Sequence, residues 1–133
     1  MENETESESI PELDHLTAQV LESGSLVLTS GEKLLVQRRR QNWSLIEASA
    51  FYRVSIAKYA AWELDQHQDG PKVYVGLLPL YEVCFIKRLR AGVPMQVIAD
   101  ALGHDSTTAL HEMERGEVPC LQLALYLNER GIL

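Results

Sequence analysis

One pattern of helix start and stop signals occurs twice in this chain, and it limits the fold more than any other feature. Ser44-Leu45-Ile46-Glu47 is a capping box: the Ser44 hydroxyl can accept from the Glu47 amide, and the Glu47 carboxylate can reach back to the Ser44 amide. A helix should therefore start at Leu45 and run to about Tyr52. Arg53-Val54-Ser55 reads as a tight turn, and Ser55 can cap a further helix through Glu63, with Tyr59 and Trp62 on one apolar stripe. Lys33–Gln41, rich in good helix formers, leads into this pair. The stretch from Tyr81 to Pro119 repeats the plan. A helix Tyr81–Ala91 is stopped by Gly92, Pro94 stands at the start of Met95–Leu102, and Gly103 is a left-handed stop. His104-Asp105-Ser106 is then the turn, Thr107–Glu114 is capped by Ser106 or Asp105, and Gly116 closes it. Asn42 aligns with Gly92, Ser44 with Pro94 and Ser49 with Ala99 at an offset of 50; Val54-Ser55 aligns with Asp105-Ser106 and Trp62-Glu63 with Met113-Glu114 at an offset of 51. The second copy thus has one extra turn residue, and the ordered agreement points to an internal duplication.

Two short helices joined by a turn of three or four residues, behind a leading helix, form the helix-turn-helix pattern. Ala48 and Ser49 are small where one helix must let the next cross closely, and Val54 is apolar where the turn tucks into a core. The expected fold is mainly α, with two tandem units: residues 30–70 and 81–133, joined by a linker at 71–80. The link opens with a turn at Asp69-Gly70, and Val73-Tyr74-Val75 is either extended or the opening of a helix interrupted by Pro79. After the second unit, Cys120–Asn128 reads as a buried helix, although the alternation of Leu121, Leu123, Leu125 and Leu127 also suits a strand. Trp43, Phe51, Tyr59 and Trp62 are expected in the core.

These residues resemble the Xre/Cro-type repressor-like family. The matches in the first unit are Trp43-Ser44, Glu47, Ser49, Val54-Ser55 and Trp62-Glu63; in the second they are Gly92, Ile98-Ala99, Leu102-Gly103, Ser106 and Met113-Glu114-Arg115-Gly116, followed by Pro119. Arg53 stands where that family has a turn glycine. The resemblance covers roughly residues 33–128. It implies a sequence-specific DNA-binding transcriptional regulator that lays the later helix of each unit in the major groove of double-stranded DNA. The implied base-reading residues are Ser55, Ile56, Ala57 and Lys58 in the first unit, with Ala61 beside them. In the second they are Ser106, Thr107, Thr108 and His111, with Glu112 beside them. Phosphate contacts are implied for Arg38, Arg39, Arg40 and Arg53, and for Lys87, Arg88 and Arg90. A cluster of bases at a helix end also complements the helix dipole without any ligand.

The reading helices are poor in the residues that recognise bases in pairs of hydrogen bonds. Lys58 is the one cation of the first; Asp105 and Glu112 in the second repel phosphate. An apolar reading helix can instead dock a protein, so the alternative is a protein-interaction module, an anti-activator or adaptor, that binds through Ile56, Ala57, Ala60 and Ala61. The helix Leu121–Leu127 or the stretch Leu16–Leu21 offers a face for a homodimer.

Charge bears on both readings. The net charge of −7 over 133 residues is uneven: residues 1–29 hold seven carboxylates and no Lys or Arg, whereas residues 30–133 hold twelve acids and twelve bases. Residues 1–29 form an acidic segment, expected to be disordered from Met1 to about Glu8, with a short helix from Pro11 to Ser23 stopped by Gly24; Ser25–Thr29 is a strand or a connection. An acidic start is not a secretory signal, and no apolar run approaches the ~20 residues of a membrane span, so a cytoplasmic protein without a membrane partner is expected. Cys84 and Cys120 sit among apolar residues and read as reduced, buried thiols. No cysteine pair has a zinc spacing, and His104 and His111 are seven apart, so no metal or cofactor is expected. No Ser/His/Asp set, phosphate loop or paired carboxylate cluster points to an enzyme; His15 and His67 read as surface residues.

Overall fold

A computed structural model describes residues 26–133. The acidic segment and the expected helix Pro11–Ser23 lie outside the described residues. Among the described residues the protein is mainly helical, with seven helices and no strand. They fall into two compact units, Leu26–Leu77 and Leu78–Leu133. The boundary lies inside the stretch expected as a linker.

The first unit contains α1 (Ser30–Gln41), α2 (Leu45–Tyr52) and α3 (Ile56–Glu63). Helix α1 begins three residues before Lys33 because Thr29 is a stronger start signal. Its hydroxyl accepts from the Glu32 amide at 3.1 Å, and Glu32 accepts from the Thr29 amide at 3.0 Å. Helix α2 starts on the expected capping box, at 3.1 Å (Glu47 N to Ser44 Oγ) and 2.8 Å (Ser44 N to Glu47 Oε1). It ends at Arg53, which adopts the left-handed conformation at φ 57°. Val54 then donates back to the Ser49 carbonyl at 3.0 Å, closing the turn, and Ser55 caps α3 by accepting from the Lys58 amide. Helices α1 and α2 both pack on α3. Their core is Leu34, Ala48, Tyr59 and Trp62, flanked by Trp43, Tyr52, Val54 and Val73. Ala48 and Ser49 are buried where α2 meets α3, and the Ser49 hydroxyl is satisfied by the Ile46 carbonyl at 2.8 Å. Phe51 departs from expectation: it is 60% exposed, lying at the edge of the cluster against Trp43 and Tyr52. An aromatic seven residues into α2 falls outside the stripe that faces α3.

The second unit contains α4 (Leu80–Ala91), α5 (Met95–Leu102), α6 (Thr108–Glu114) and α7 (Leu121–Glu129). Left-handed Gly92 and Gly103 end α4 and α5 as expected. The start of α6 differs from expectation: Thr107 precedes it without a side-chain cap, and Ser106 accepts only a long bond, 3.3 Å, from the Thr108 amide. Helix α4 packs on α6 and α7. The core joins Cys84 of α4, Met95, Ile98 and Ala99 of α5, Leu110 and Met113 of α6, and Leu123, Ala124, Tyr126 and Leu127 of α7. The 3.6-residue spacing of the last four residues decides between helix and strand for that segment.

Equivalent positions recur in the two units. Helices α1 and α4 have the same length at an offset of 50, as do α2 and α5. After the turn, buried Tyr59 corresponds to buried Leu110 and buried Trp62 to buried Met113, at 51.

Candidate nucleic-acid interface

The strongest local correspondence is an ion pair. Arg38, in the last turn of α1, donates through Nε and Nη2 to the Glu63 carboxylate at 2.6 and 3.2 Å, and through Nη1 to the Trp43 carbonyl. Arg88, 50 residues later, donates in the same way to Glu114 at 2.5 and 3.0 Å, and to the Val93 carbonyl at 2.9 Å. Each guanidinium therefore clamps the leading helix to the end of the third helix of its unit, and fixes the turn after its own helix. Burial would lower the Arg38 pKa, but the hydrogen bond and charge of Glu63 outweigh it and raise the pKa. Tyr59 is also shifted up, first by burial and then by its hydrogen bond to Glu63. Arg38 and Arg88 were expected at phosphates. In the structure each guanidinium instead gives two of its five N–H donors to a carboxylate and a third to a carbonyl of its own unit, so its charge is balanced inside the fold. The aligned Arg and Glu of the two repeats carried this signal, since a pair kept at one register in both copies is explained by a shared internal contact.

The remaining cations stay on the surface. Arg53 is exposed at the α2–α3 turn, and its guanidinium has no partner among the described residues. Arg40 is exposed and donates to the Val75 carbonyl at 2.7 Å. Arg39 is half-buried. In the second unit Lys87 is half-buried and Arg90 exposed.

At the start of α3, Ser55, Ile56, Ala57 and Lys58 are all exposed. The Ser55 hydroxyl is used as the cap acceptor, which leaves its proton available to a ligand. Lys58 is paired with Asp69 at 3.1 Å, half-exposed, and its ammonium lies 5.8 Å from the Trp62 ring centre. Asp69 also accepts from the Trp62 indole at 2.9 Å; that hydrogen bond, followed by the one from Lys58, holds its carboxyl below the usual range. Asp69 was missed in the sequence because it sits in a polar loop, and only the fold brings that loop back over α3. Ala60 and Ala61 are half-buried, so the apolar docking set expected on α3 narrows to Ile56 and Ala57. Exposed apolar surface appears on α2 instead, at Ile46 and Phe51.

At the start of α6, Ser106, Thr108 and His111 are exposed and Thr107 is half-buried. The Ser106 hydroxyl donates to the Thr108 hydroxyl at 3.2 Å. Asp105 is exposed beside them and Glu112 half-buried.

The units differ in net charge. Leu26–Leu77 carries seven Lys and Arg against five carboxylates, and Leu78–Leu133 carries five against seven. No helix among the described residues is long and apolar enough to cross a membrane, and no group of three metal-ligating side chains occurs there. No protein-family model, curated protein or solved structure matches this chain.

Proposed function

We propose that both units are helix-turn-helix modules of the repressor-like kind, and that the protein is a sequence-specific DNA-binding transcriptional regulator. In this reading α3 and α6 are the helices that enter the major groove, each with its first turn toward base edges. The observation that carries it is the exposed first turn of α3, Ser55 to Lys58, beside Arg53 at the turn, which has no partner among the described residues, in the unit with the positive balance.

The labour divides between the units. Arg39, Arg40 and Arg53 supply phosphate contacts on one side, Lys87 and Arg90 on the other. Lys58, released from Asp69, donates to an acceptor on a base, while Ile56 and Ala57 meet thymine methyl groups. Ser106, Thr107, Thr108 and His111 offer hydroxyl and imidazole hydrogen bonds. The acidic balance of the second unit makes its hold on DNA the weaker one. A chain of two such units covers two half-sites without a partner; a homodimer would double the footprint.

A second reading is favoured by exposed apolar side chains on α2 and α3 of the first unit. Ile46, Phe51 and Ile56 are 65, 60 and 46% exposed, which suits a protein partner as well as a groove. In that case the fold is an anti-activator or adaptor that has given up DNA.

Selection from a random duplex pool, followed by titration of the winning site across salt concentrations, separates the two. Phosphate contacts make log K fall with log salt at a slope of about −0.9 per phosphate. Replacing Arg39, Arg40 and Arg53 together by Ala lowers affinity across all sequences and flattens the slope by about 3. Lys58→Ala changes the preference at one base position. Failure to select any duplex at low salt removes the regulator reading.

A further inference from the structure

Lys58, the one cation on the reading helix of the first unit, already has an anionic partner. Its ammonium stands 3.1 Å from Asp69 Oδ2 and 5.8 Å from the centre of the Trp62 ring. The carboxylate is itself fixed, because the Trp62 indole donates to its other oxygen at 2.9 Å. The segment that carries Asp69 builds this placement. Gly70 passes so close to Trp62 that a Cβ there would stand 3.1 Å from the ring. Val73 packs on the core of the same unit, and Arg40 donates to the Val75 carbonyl at 2.7 Å. The segment after α3 is thus pinned at several points, and the first of them sets a carboxylate beside Lys58. The shared fold does not require this. At the offset of 51 the second unit has Ala109 for Lys58, Met113 for Trp62 and Cys120 for Asp69.

We propose that Asp69 is an internal stand-in for DNA: it holds the Lys58 ammonium when no duplex is bound, so that binding is an exchange of partners, carboxylate for base acceptor, and Asp69 sets the affinity of the first unit. The exchange rests on the regulator reading and names the residue that governs its one reading cation.

The exposure of the pair permits the exchange. The Lys58 and Asp69 side chains are 46 and 59% exposed, so a ligand lying on α3 reaches the ammonium without opening the core. An ion pair this open to water is weak, and a base acceptor at the groove floor can displace the carboxylate. Asp69 does not leave with the pair, since the indole still holds its other oxygen. Its charge, no longer balanced by Lys58, then opposes the phosphates nearby. Asp69 therefore weakens binding in two ways: a pair must be broken, and an acid is left beside the duplex. The first effect needs Lys58 and the second does not, which is how the two are told apart.

A zero-length cross-link and a double-mutant cycle test the exchange. A water-soluble carbodiimide joins an ammonium to a carboxylate in contact with it as an amide. Full-length protein treated with it in the absence of DNA should yield a peptide pair linked through Lys58 and Asp69, and saturation with the selected duplex should suppress that product. Asp69→Asn removes the charge and keeps an acceptor for the Trp62 indole. It should tighten binding of the selected duplex by about fivefold. In a Lys58→Ala background the same change should gain about threefold less, because no pair remains to be broken. Equal gains in the two backgrounds would reduce Asp69 to a general negative charge and overturn the proposal. So would a missing cross-link in the free protein, or one that persists in the saturated complex. A wild-type protein that binds its duplex no more weakly than Asp69→Asn sinks the exchange and leaves the regulator reading standing. If the cross-link forms but neither protein selects any duplex, the regulator reading fails and the exchange falls with it.

Discussion

The two units solve one packing problem with different materials. In each, the start of the leading helix runs against the end of the third helix. In the first unit the contact is backbone on backbone. A Cβ on Gly31 would collide with the carbonyls of Trp62 and Glu63, and Asp65, in the left-handed conformation at φ 57°, seals the junction. Its carboxylate accepts from the Gly31 amide at 2.8 Å and from the Thr29 hydroxyl at 2.6 Å. In the second unit the position of Gly31 is taken by Tyr81 and that of Asp65 by Gly116. The Tyr81 ring fills the space where a Cβ on Gly116 would stand. One junction is polar and short, the other aromatic and wide, yet both leave the Arg–Glu clamp in place. What is held constant is the register of the leading helix on the third helix, and the chemistry that holds it can change.

The clamp itself differs in depth, which gives the largest expected contrast. The Arg88 and Glu114 side chains are 10 and 2% exposed, against 22 and 10% for Arg38 and Glu63. Arg88→Ala leaves a buried carboxylate unpaired and should cost about 3–5 kcal/mol. Arg38→Ala lets water reach Glu63 and should cost about 1–2 kcal/mol. Denaturant unfolding can separate the two, because both tryptophans, Trp43 and Trp62, lie in the first unit. Fluorescence follows that unit alone, and far-ultraviolet circular dichroism follows both. Equal costs would mean that depth does not matter to the clamp.

The junctions give the next contrast. Gly31→Ala should cost about 2–3 kcal/mol, since the neighbouring atoms are carbonyls that cannot turn aside. Gly116→Ala pays for its left-handed conformation, at φ 74°, and for a contact with a ring that can shift, about 1–2 kcal/mol. A reversed order, read from midpoints of the same unfolding curves, would break the account of the two junctions.

Capping gives a smaller effect. Ser44→Ala removes the hydroxyl arm of a satisfied box at α2, while the arm from its backbone amide to Glu47 stays, and should cost about 1 kcal/mol. Pro94→Ala, at the uncapped start of α5, should cost less than about 0.5 kcal/mol. The smallest effect concerns the surface. Arg53→Ala should leave stability within about 0.5 kcal/mol, because its guanidinium has no partner among the described residues. Under the proposed function it should flatten the salt slope of duplex binding by about 1. Lys87→Ala, in the acidic unit, should flatten it less.

Much of the fold was legible because its punctuation is local. Helices α2 and α3 start and stop where Ser44, Arg53 and Ser55 indicate, and the ends of α4 and α5 follow from Gly92 and Gly103. Where a local signal was weak, the boundary moved: α6 starts one residue late, behind a turn without a side-chain cap. The candidate site was less legible. Arginines near a helix end look alike in sequence whether they face solvent or a carboxylate 25 residues away, and that difference separates Arg38 from Arg40.

The amino-acid sequence alone determined which segments are helical and that the same three-helix plan occurs twice, because caps, left-handed stops and apolar spacing act over a few residues. Only the tertiary structure decided which cations are spent inside the fold, that Phe51 faces outward, and that Asp69 holds Lys58. Those outcomes depend on how helices cross, and a crossing is set by the summed packing of residues far apart in the chain.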